Sequence, residues 1–299
     1  MNYPKPKKLS DGIWWDRQWS PWVGCTPVSR GCDRCWAARV TDGTGPTGLK
    51  RLGECPTGFN GGPVFKGFMY PFGPSPRQKR AVVGVCMRSD LGHDAIAAEY
   101  RWRAFNIMLA CHQHLFVIPT KRPQSFVGIN APPNAWLLIS VEDQATADER
   151  LKYIGQLHFP VVGVSLEPML GPVDLSRWLF YNDSVDGSPV VNPRLDWVVL
   201  GGESGPGARP MHPDWARSVR DQCAAAGVAY LHKQNGEWIY ASQTTYASDE
   251  CRSKVDASIF RNKGTRIEGP EWAYRVGKKL AGRLLDGVQH DGWPEVSNG

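Results

Sequence analysis

Residues 136–143 read WLLISVED, a short apolar run that ends in two carboxylates. Such a run is typical of a strand buried on both faces, as in a parallel sheet. Five other runs resemble it: 81–86 (AVVGVC), 115–118 (LFVI), 161–164 (VVGV), 197–200 (WVVL) and 228–231 (VAYL). Segments with helical character lie between several of them, at 94–111, 146–157 and 213–226. Strands that alternate with helices predict an α/β fold with a parallel sheet.

A further apolar segment, residues 20–24 (SPWVG), brings the predicted strands to about seven. This number fits a partial or complete (β/α) barrel of parallel strands. An open, doubly wound sheet is the alternative. Residues 41–80 contain many Gly and Pro and are predicted to be an irregular insertion. We assign residues 1–235 to the barrel domain and residues 236–299, where the strand–helix rhythm is lost, to an appended C-terminal region.

Composition limits the class of protein. The 299 residues are 41% hydrophobic, enough for a large core, and the net charge is +6 with dispersed basic residues. This charge is compatible with a nucleic acid partner but does not require one. Neither a signal-like N-terminus nor an apolar stretch of membrane-spanning length is visible, which predicts a cytoplasmic protein without a membrane partner. In that compartment the eight cysteines are not expected to form a disulfide framework, and the clustered ones among them suggest a metal site.

The strongest local feature is the segment CTPVSRGCDRC, which places Cys25, Cys32 and Cys35 within eleven residues. Three thiolates can hold a [4Fe–4S] cluster and leave one iron open to an external ligand. The alternative is a structural zinc site completed by Cys55 or His93, and the spacing alone does not separate the two. The other cysteines are isolated and are expected in the core: Cys86, Cys111, Cys223 and Cys251.

Polar residues follow the predicted strands. The acids among them are Asp90, Glu142, Glu167 and Glu203, and their companions are Lys121, Arg122, Gly201, Gly202, Ser204, Lys233 and Gln234. Any one of these acids is most simply a helix cap or a salt-bridge partner. In a parallel barrel, however, all strand carboxyl ends open on one face, so we expect the set to converge on one polar site. The double glycine would let the backbone approach a ligand closely.

Seven ordered stretches carry a resemblance to a known family. They are WSPWVGCTPVSRGCDRCWA, RSDLGHD, PTKRP, LLISVEDQATADER, VSLEPMLGPVDL, DWVVLGGESGPGARPMHPDW and KQNG, and they span roughly residues 14–237. The chain resembles a phage-borne three-cysteine-motif family of unassigned function that is grouped with the radical S-adenosylmethionine (SAM) proteins. The usual signature of that superfamily has three residues between its first two cysteines, whereas six lie between Cys25 and Cys32 here.

The resemblance implies a [4Fe–4S] cluster on Cys25, Cys32 and Cys35, with SAM on the open iron. The residues it implies around SAM are Asp90, Lys121, Glu142, Glu167, Gly201, Gly202, Glu203 and Ser204. The expected activity is reductive cleavage of SAM to a 5′-deoxyadenosyl radical, which modifies an unidentified substrate with the help of a reductant protein. Phage context suggests a nucleobase or nucleotide of DNA or RNA as the substrate and the host cytoplasm as the location.

Two other functions are compatible with the residues. One is a zinc- or cluster-stabilised protein that binds nucleic acid or a protein partner without catalysis, which leaves the strand-end acids unexplained. The other is a hydrolase that uses these carboxylates to hold hard cations, with the cysteines in a structural role.

Overall fold

A computed structural model describes residue 3 and residues 5–41, 62–69, 73–179, 195–260, 265–266 and 271–295. Its strands, in chain order, are β1 (Arg17–Trp19), β2 (Trp22–Val23), β3 (Val64–Phe65), β4 (Val82–Val85), β5 (Leu115–Thr120), β6 (Ala135–Val141), β7 (Val162–Leu166), β8 (Trp197–Gly201), β9 (Ala229–Gln234), β10 (Trp238–Tyr240), β11 (Thr265–Arg266) and β12 (Trp272–Arg275). Its α-helices are α1 (Trp36–Thr41), α2 (Ala98–Ala110), α3 (Gln144–Leu151), α4 (Ser176–Leu179), α5 (Pro213–Ala226), α6 (Asp249–Phe260) and α7 (Lys278–Ala281).

The main sheet has seven strands in the order β1-β4-β5-β6-β7-β8-β9, and every neighbouring pair is parallel. It curls into a half-barrel flanked by helices, which confirms the predicted α/β class and excludes the open, doubly wound alternative. None of the helices in the described ranges is long and apolar enough to cross a membrane.

Most predicted elements lie where the sequence pattern indicates them. The six apolar runs correspond to β4 to β9. Two of the helical segments contain α2 and α5, and the third, 146–157, overlaps α3, which begins two residues earlier, at Gln144. Helix α5 begins after His212, whose Nδ1 accepts a hydrogen bond from the Asp214 amide at 3.2 Å, and it ends at Gly227 with φ +64°. A positive φ of this kind favours glycine as a helix stop.

One strand prediction was wrong. The seventh strand of the main sheet is β1, residues 17–19, and not residues 20–24. Within residues 20–24, Trp22 and Val23 form β2, which pairs antiparallel with β3 in a separate two-stranded sheet. Pro21 lies between β1 and β2, and because proline has no amide hydrogen it cannot continue a hydrogen-bonded strand. Strand β3 falls inside the predicted insertion 41–80, of which residues 42–61 and 70–72, with Cys55, lie outside the described residues.

The central strands present alternate residues to two cores, as the two-residue repeat of a strand requires. Along β6, Leu137 and Ile139 belong to the core shared with the helices. Trp136 and Leu138 belong to a second core on the opposite face, inside the curl of the sheet. The half-barrel therefore needs apolar groups to fill its concave side.

The two terminal parts of the chain fill that concave side. Tyr3, Leu9 and Trp14 reach it from the N-terminal part, and Trp293 reaches it from the C-terminal part. The Trp293 ring centre lies 4.9 Å from that of Trp197. Both ends of the chain thus contribute to the core of the barrel.

The appended C-terminal region contains a small three-stranded sheet in the order β10-β12-β11, with helix α6 packed against it. Ile239, Val255 and Tyr274 are among the buried residues of its own core. The chain then returns to the main sheet, where the Gly292 amide donates to the Tyr230 carbonyl oxygen at 2.8 Å. We call residues 290–293 the C-terminal strap.

Candidate functional site

A cavity of about 560 Å³ opens at the carboxyl ends of the main-sheet strands. Strand-end residues form part of its wall. The rest comes from the cysteine loop (residues 25–35), from residues 11–18, which we call the N-terminal segment, and from Lys278. The volume lies in the range of small-molecule and cofactor sites. Carboxyl strand ends are also where parallel barrels carry their active sites. This cavity is therefore the candidate functional site.

All three clustered cysteines line the cavity and are half-buried. The chain leaves β2 at Gly24, whose φ of +99° belongs to the region that favours glycine. The Gly24 carbonyl oxygen accepts a hydrogen bond from Ser89 Oγ at 2.8 Å, which ties the start of the loop to the end of β4. A single 3₁₀ turn, Arg30–Cys32, then leads to Cys35.

A buried arginine fixes the first cysteine. Arg122 is 3% exposed, and its Nη1 donates to Cys25 Sγ at 3.5 Å and to Asp90 Oδ2 at 3.2 Å. Its Nη2 donates to the Thr26 carbonyl oxygen at 2.9 Å. Burial raises the pKa of the Cys25 thiol, the Asp90 carboxylate raises it further, and the Arg122 guanidinium acts in the opposite direction. Arg122 thus favours the thiolate that a metal centre requires.

Glu142 lies beneath the cysteine loop and not in the cavity wall. It is fully buried, with Oε2 accepting from Arg150 Nη1 at 3.0 Å and Oε1 accepting from Ser29 Oγ at 2.9 Å. Lys121 Nζ lies 3.4 Å from the same Oε1. Gly31 packs so closely above it that an added Cβ would lie 2.5 Å from the Glu142 Cγ. Glu142 therefore supports the cysteine loop through its contacts with Ser29 and Gly31.

Glu203 lines the cavity and is held by a forked pair of hydrogen bonds. Arg209 donates from Nε to Oε2 at 2.9 Å and from Nη2 to Oε1 at 2.6 Å. The same Nη2 donates to the Arg30 carbonyl oxygen at 2.9 Å, and Nη1 lies 3.5 Å from Asp33 Oδ2. The hydrogen bonds that Arg209 donates to Glu203 raise the pKa of Arg209. The loop after β8 is thereby joined to the cysteine loop.

Glu167 lies in another part of the wall. Its Oε1 is 2.6 Å from Lys233 Nζ, and its Oε2 accepts from Ser165 Oγ at 3.0 Å. Lys278 lines the cavity close by, where partial burial lowers its pKa and the positive charge of Lys233 lowers it further. This part of the cavity therefore contains two lysines near one carboxylate.

The structure brings most of the sequence-predicted residues together. Six of them line the cavity with the three cysteines: Asp90, Lys121, Glu167, Gly202, Glu203 and Ser204. Arg122, Lys233 and Gln234 line it as well. Glu142 and Gly201 do not. An added Cβ on Gly202 would lie 2.7 Å from the Asn235 carbonyl carbon, so this glycine allows two backbone segments to approach each other.

Sequence reasoning missed four residues of the wall. Cys86 follows β4, so the strand-end pattern that marked Asp90 could have found it. It is fully buried with φ +53°, and burial raises the pKa of its thiol far above the ordinary range. Trp14 and Trp15 belong to the N-terminal segment, whose tryptophans are most simply interpreted as a hydrophobic cap. No feature of the sequence indicates that Lys278 lines the cavity, because its position depends on how the C-terminal region packs against the barrel.

The zinc alternative relied on Cys55 or His93 as a fourth ligand. Cys55 lies outside the described residues, and His93 does not line the cavity. His93 Nε2 lies 2.8 Å from Thr26 Oγ1, and its Nδ1 accepts from the Ala95 amide at 3.1 Å. Within the described ranges, no group of three or more His, Cys, Asp or Glu side chains is arranged to hold a metal ion.

Comparison with known proteins gave one finding. A family model described as a protein of unknown function, DUF5131, matches residues 10–294. Neither the curated proteins nor the solved structures gave a match. The matched span includes the cysteine loop, every strand of the main sheet and the C-terminal strap.

Proposed function

The chain belongs to the DUF5131 family, whose function is unknown, and we therefore propose an activity from its site: a radical SAM-type iron–sulfur enzyme. One observation carries the proposal. Three cysteines of one loop line a single cavity at the carboxyl edge of a parallel half-barrel, together with carboxylates and cations. The resemblance to phage-borne three-cysteine proteins supports the same interpretation. A reductant protein and a reducing compartment are required by this activity.

Cys25, Cys32 and Cys35 would hold a [4Fe–4S] cluster. Their thiols are soft ligands that are accessible from the cavity. Burial raises the pKa of Cys25, and the hydrogen bond from Arg122 opposes that rise. Cys86 is a poorer ligand because it is fully buried, which raises the pKa of its thiol far above the ordinary range. With three protein ligands, one iron would lack a protein ligand and would be available to SAM.

The wall also offers groups for the amino acid part of SAM. Glu142 already pairs with Arg150 at 3.0 Å, so the charge of Lys121, 3.4 Å away, is not fully cancelled. Lys121 lines the cavity and is suited to bind the carboxylate of SAM. Glu203 Oε1 accepts one hydrogen bond, from Arg209, and has acceptor capacity left for the ammonium group or a ribose hydroxyl. Asp90 already accepts four hydrogen bonds, from Gly92, Thr120, Lys121 and Arg122, so its role is to hold Arg122 in place.

When bound and reduced, the cluster supplies one electron that breaks the S–C5′ bond of SAM and yields methionine and a 5′-deoxyadenosyl radical. The protein's own residues orient SAM and keep the cysteine loop in place. Arg122 and Arg209 perform the second task by joining the loop to the end of β5 and to the loop after β8, and Ser29 joins it to Glu142 at the end of β6.

The test begins with iron and sulfide analysis of anaerobically reconstituted protein. We expect Cys25→Ala, Cys32→Ala and Cys35→Ala each to lose the cluster, because three ligands are the minimum that holds it. Cys55→Ala, Cys86→Ala and the core control Cys111→Ala should keep it. Loss of metal in Cys55→Ala or Cys86→Ala would favour a closed four-cysteine site, and tightly bound zinc without iron would contradict the proposal.

The reconstituted protein, given dithionite and SAM without substrate, should slowly release 5′-deoxyadenosine. Lys121→Gln and Glu203→Gln should weaken SAM binding more than they reduce the iron content. A protein with its full iron complement that neither binds nor cleaves SAM would refute the radical activity while leaving the cluster in place.

A further inference from the structure

The cavity has a second end, outside the cysteine loop. It is formed by Trp14, Trp15, Lys233, Gln234 and Lys278, and we call it the tryptophan end. A role for this end rests on the proposed function, because that function leaves the cysteine end to the cluster and SAM. The tryptophan end is then the place for the substrate.

An indole ring is held in a fixed orientation at this end. Trp15 is half-buried and lines the cavity. Trp14 packs edge-on against it, with ring centres 4.8 Å apart and planes at 77°. Lys233 Nζ lies 5.3 Å from the Trp15 ring centre. A rigidly held indole that lines a cavity is a stacking surface for a planar aromatic ligand.

Positive charge is in surplus beside this ring. The carboxylates whose charges act on Lys278 are Glu167 and Glu237. Glu167 is already paired with Lys233 at 2.6 Å, and Glu237 lies 3.7 Å from Arg275. Asp11 also lines this end, but it is exposed, as Lys278 is, and it forms no ion pair with Lys278 within the described residues. The ammonium group of Lys278 is therefore available to an anionic ligand.

Two buried polar atoms at this end lack partners. Gln234 is 8% exposed and its Nε2 donates to the Gly202 carbonyl oxygen at 3.0 Å, whereas its Oε1 has no hydrogen-bond partner among the described residues. Trp14 is 2% exposed, and its Nε1 likewise has none. Buried polar atoms without partners are uncommon, because their desolvation is uncompensated. Both atoms are shielded from the cavity in this structure, so neither is assigned to the ligand.

We propose that the tryptophan end binds one nucleotide unit, with its base stacked on Trp15 and its phosphate on Lys278. The nucleotide is either a free nucleoside monophosphate or one residue of a single strand, because both present the same chemistry.

Isothermal titration calorimetry on the full chain at low salt tests this proposal, with and without the cluster. Nucleoside monophosphates should bind more tightly than the corresponding nucleosides or inorganic phosphate, and added salt should weaken them. Trp15→Ala should lower monophosphate affinity by about tenfold or more, with partial rescue by Trp15→Phe. Lys278→Gln should lower monophosphate affinity by about fivefold or more and leave nucleoside affinity unchanged.

Two variants serve as matched controls. Lys279→Gln removes an exposed charge beside Lys278, and Trp102→Ala removes a 47% exposed tryptophan on α2. Neither residue lines the cavity, so monophosphate affinity should remain within about twofold of the unmodified chain. A short single-stranded oligonucleotide that binds more tightly than the monophosphate identifies a strand as the ligand, and equal affinity identifies a free nucleotide.

Absence of monophosphate binding, or equal losses in the control variants, would overturn the proposal. So would competition by S-adenosylhomocysteine, because the adenosine of SAM would then occupy the tryptophan end. Iron content and 5′-deoxyadenosine release are measured separately. A protein that cleaves SAM but binds no nucleotide overturns this inference alone, and one that binds nucleotide without ever loading iron overturns only the proposed function.

Discussion

At the scale of single residues, His232 makes a pH-dependent contribution to stability. It is fully buried on β9, where its Nε2 donates to Asn235 Oδ1 at 2.8 Å and its Nδ1 accepts from the Tyr230 hydroxyl at 3.0 Å. Asn235 Nδ2 donates to the Ala281 carbonyl oxygen at 2.8 Å, which leaves Oδ1 as the acceptor for the ring. Burial lowers the pKa of His232 to about 4. The folded protein therefore prefers the neutral ring.

The sign of the pH effect follows from the lowered pKa. Above the ordinary pKa of 6.5 the neutral ring contributes its full stabilisation, which is lost as the pH falls towards about 4. The shift corresponds to about 3 kcal/mol across that window. Urea unfolding at pH 7 and pH 5 should show a smaller decrease in unfolding free energy for His232→Gln than for the unmodified chain. Equal decreases would show that another group dominates the acid sensitivity.

The strand-end residues show what sequence can predict at this scale. Parallel topology places the carboxyl ends of strands together, so the strand pattern is enough to assign Asp90, Glu167 and Glu203 to one site. Glu142 also follows the end of a strand, but it does not line the cavity. Its carboxylate pairs instead with Arg150 on α3. That partner depends on how a helix packs, which strand pattern does not contain.

At the scale of elements, the close contact between Gly31 of the cysteine loop and Glu142 gives a testable prediction. Gly31→Ala would place a methyl group into the Glu142 side chain, which three neighbours hold in position. We expect the loop to shift, with a loss of about 1–3 kcal/mol in unfolding free energy. Iron content after anaerobic reconstitution should fall as well, since the three cysteines are carried by this loop.

Gly171→Ala is the matched control, because its added Cβ would lie at an ordinary 3.4 Å from the Asp143 Cβ. Adding Glu142→Asp to Gly31→Ala shortens the blocking side chain and should restore part of the iron content. If Gly31→Ala loads as much iron as the unmodified chain, packing against Glu142 does not position the cysteine loop.

Element boundaries can be predicted where the local signals are strong. His212-Pro213 and Gly227 mark α5 at both ends, because a helix start and a glycine stop are local properties. Strand β1 was misplaced because Trp19 and Trp22 are equally apolar, and only pairing with β4 decides which one joins the sheet. Pairing between strands that are distant in sequence cannot be predicted from the local pattern of residues.

At the scale of the whole molecule, the C-terminal strap closes the concave core. Trp293 contacts Trp136 and Trp197 with ring centres 5.2 and 4.9 Å apart, and Trp197 Nε1 donates to the Gly292 carbonyl oxygen at 3.0 Å. Trp293→Ala should lower the unfolding free energy by about 3–5 kcal/mol, because it opens a cavity among large aromatic rings.

Chemical denaturation measures this change, and Trp102→Ala is the control. Because Trp102 is 47% exposed, its loss should change the unfolding free energy by less than about 1 kcal/mol. Similar effects in both variants would show that the strap is not part of the barrel core. No composition or periodicity argument connects residue 293 with residue 136, so this closure could not be predicted from the sequence.

Strands β1 and β9 form the two edges of the curled sheet, and across the described residues they are not paired with each other. Residues of the N-terminal segment cross this gap: Trp15 meets Lys233 on β9, and Gly12 packs against the Lys233 backbone. In a closed barrel, separating two neighbouring strands would break interstrand hydrogen bonds, whereas β1 and β9 share none here. The width of the cavity is therefore set by the packing of the N-terminal segment between the two edges, and not by strand pairing.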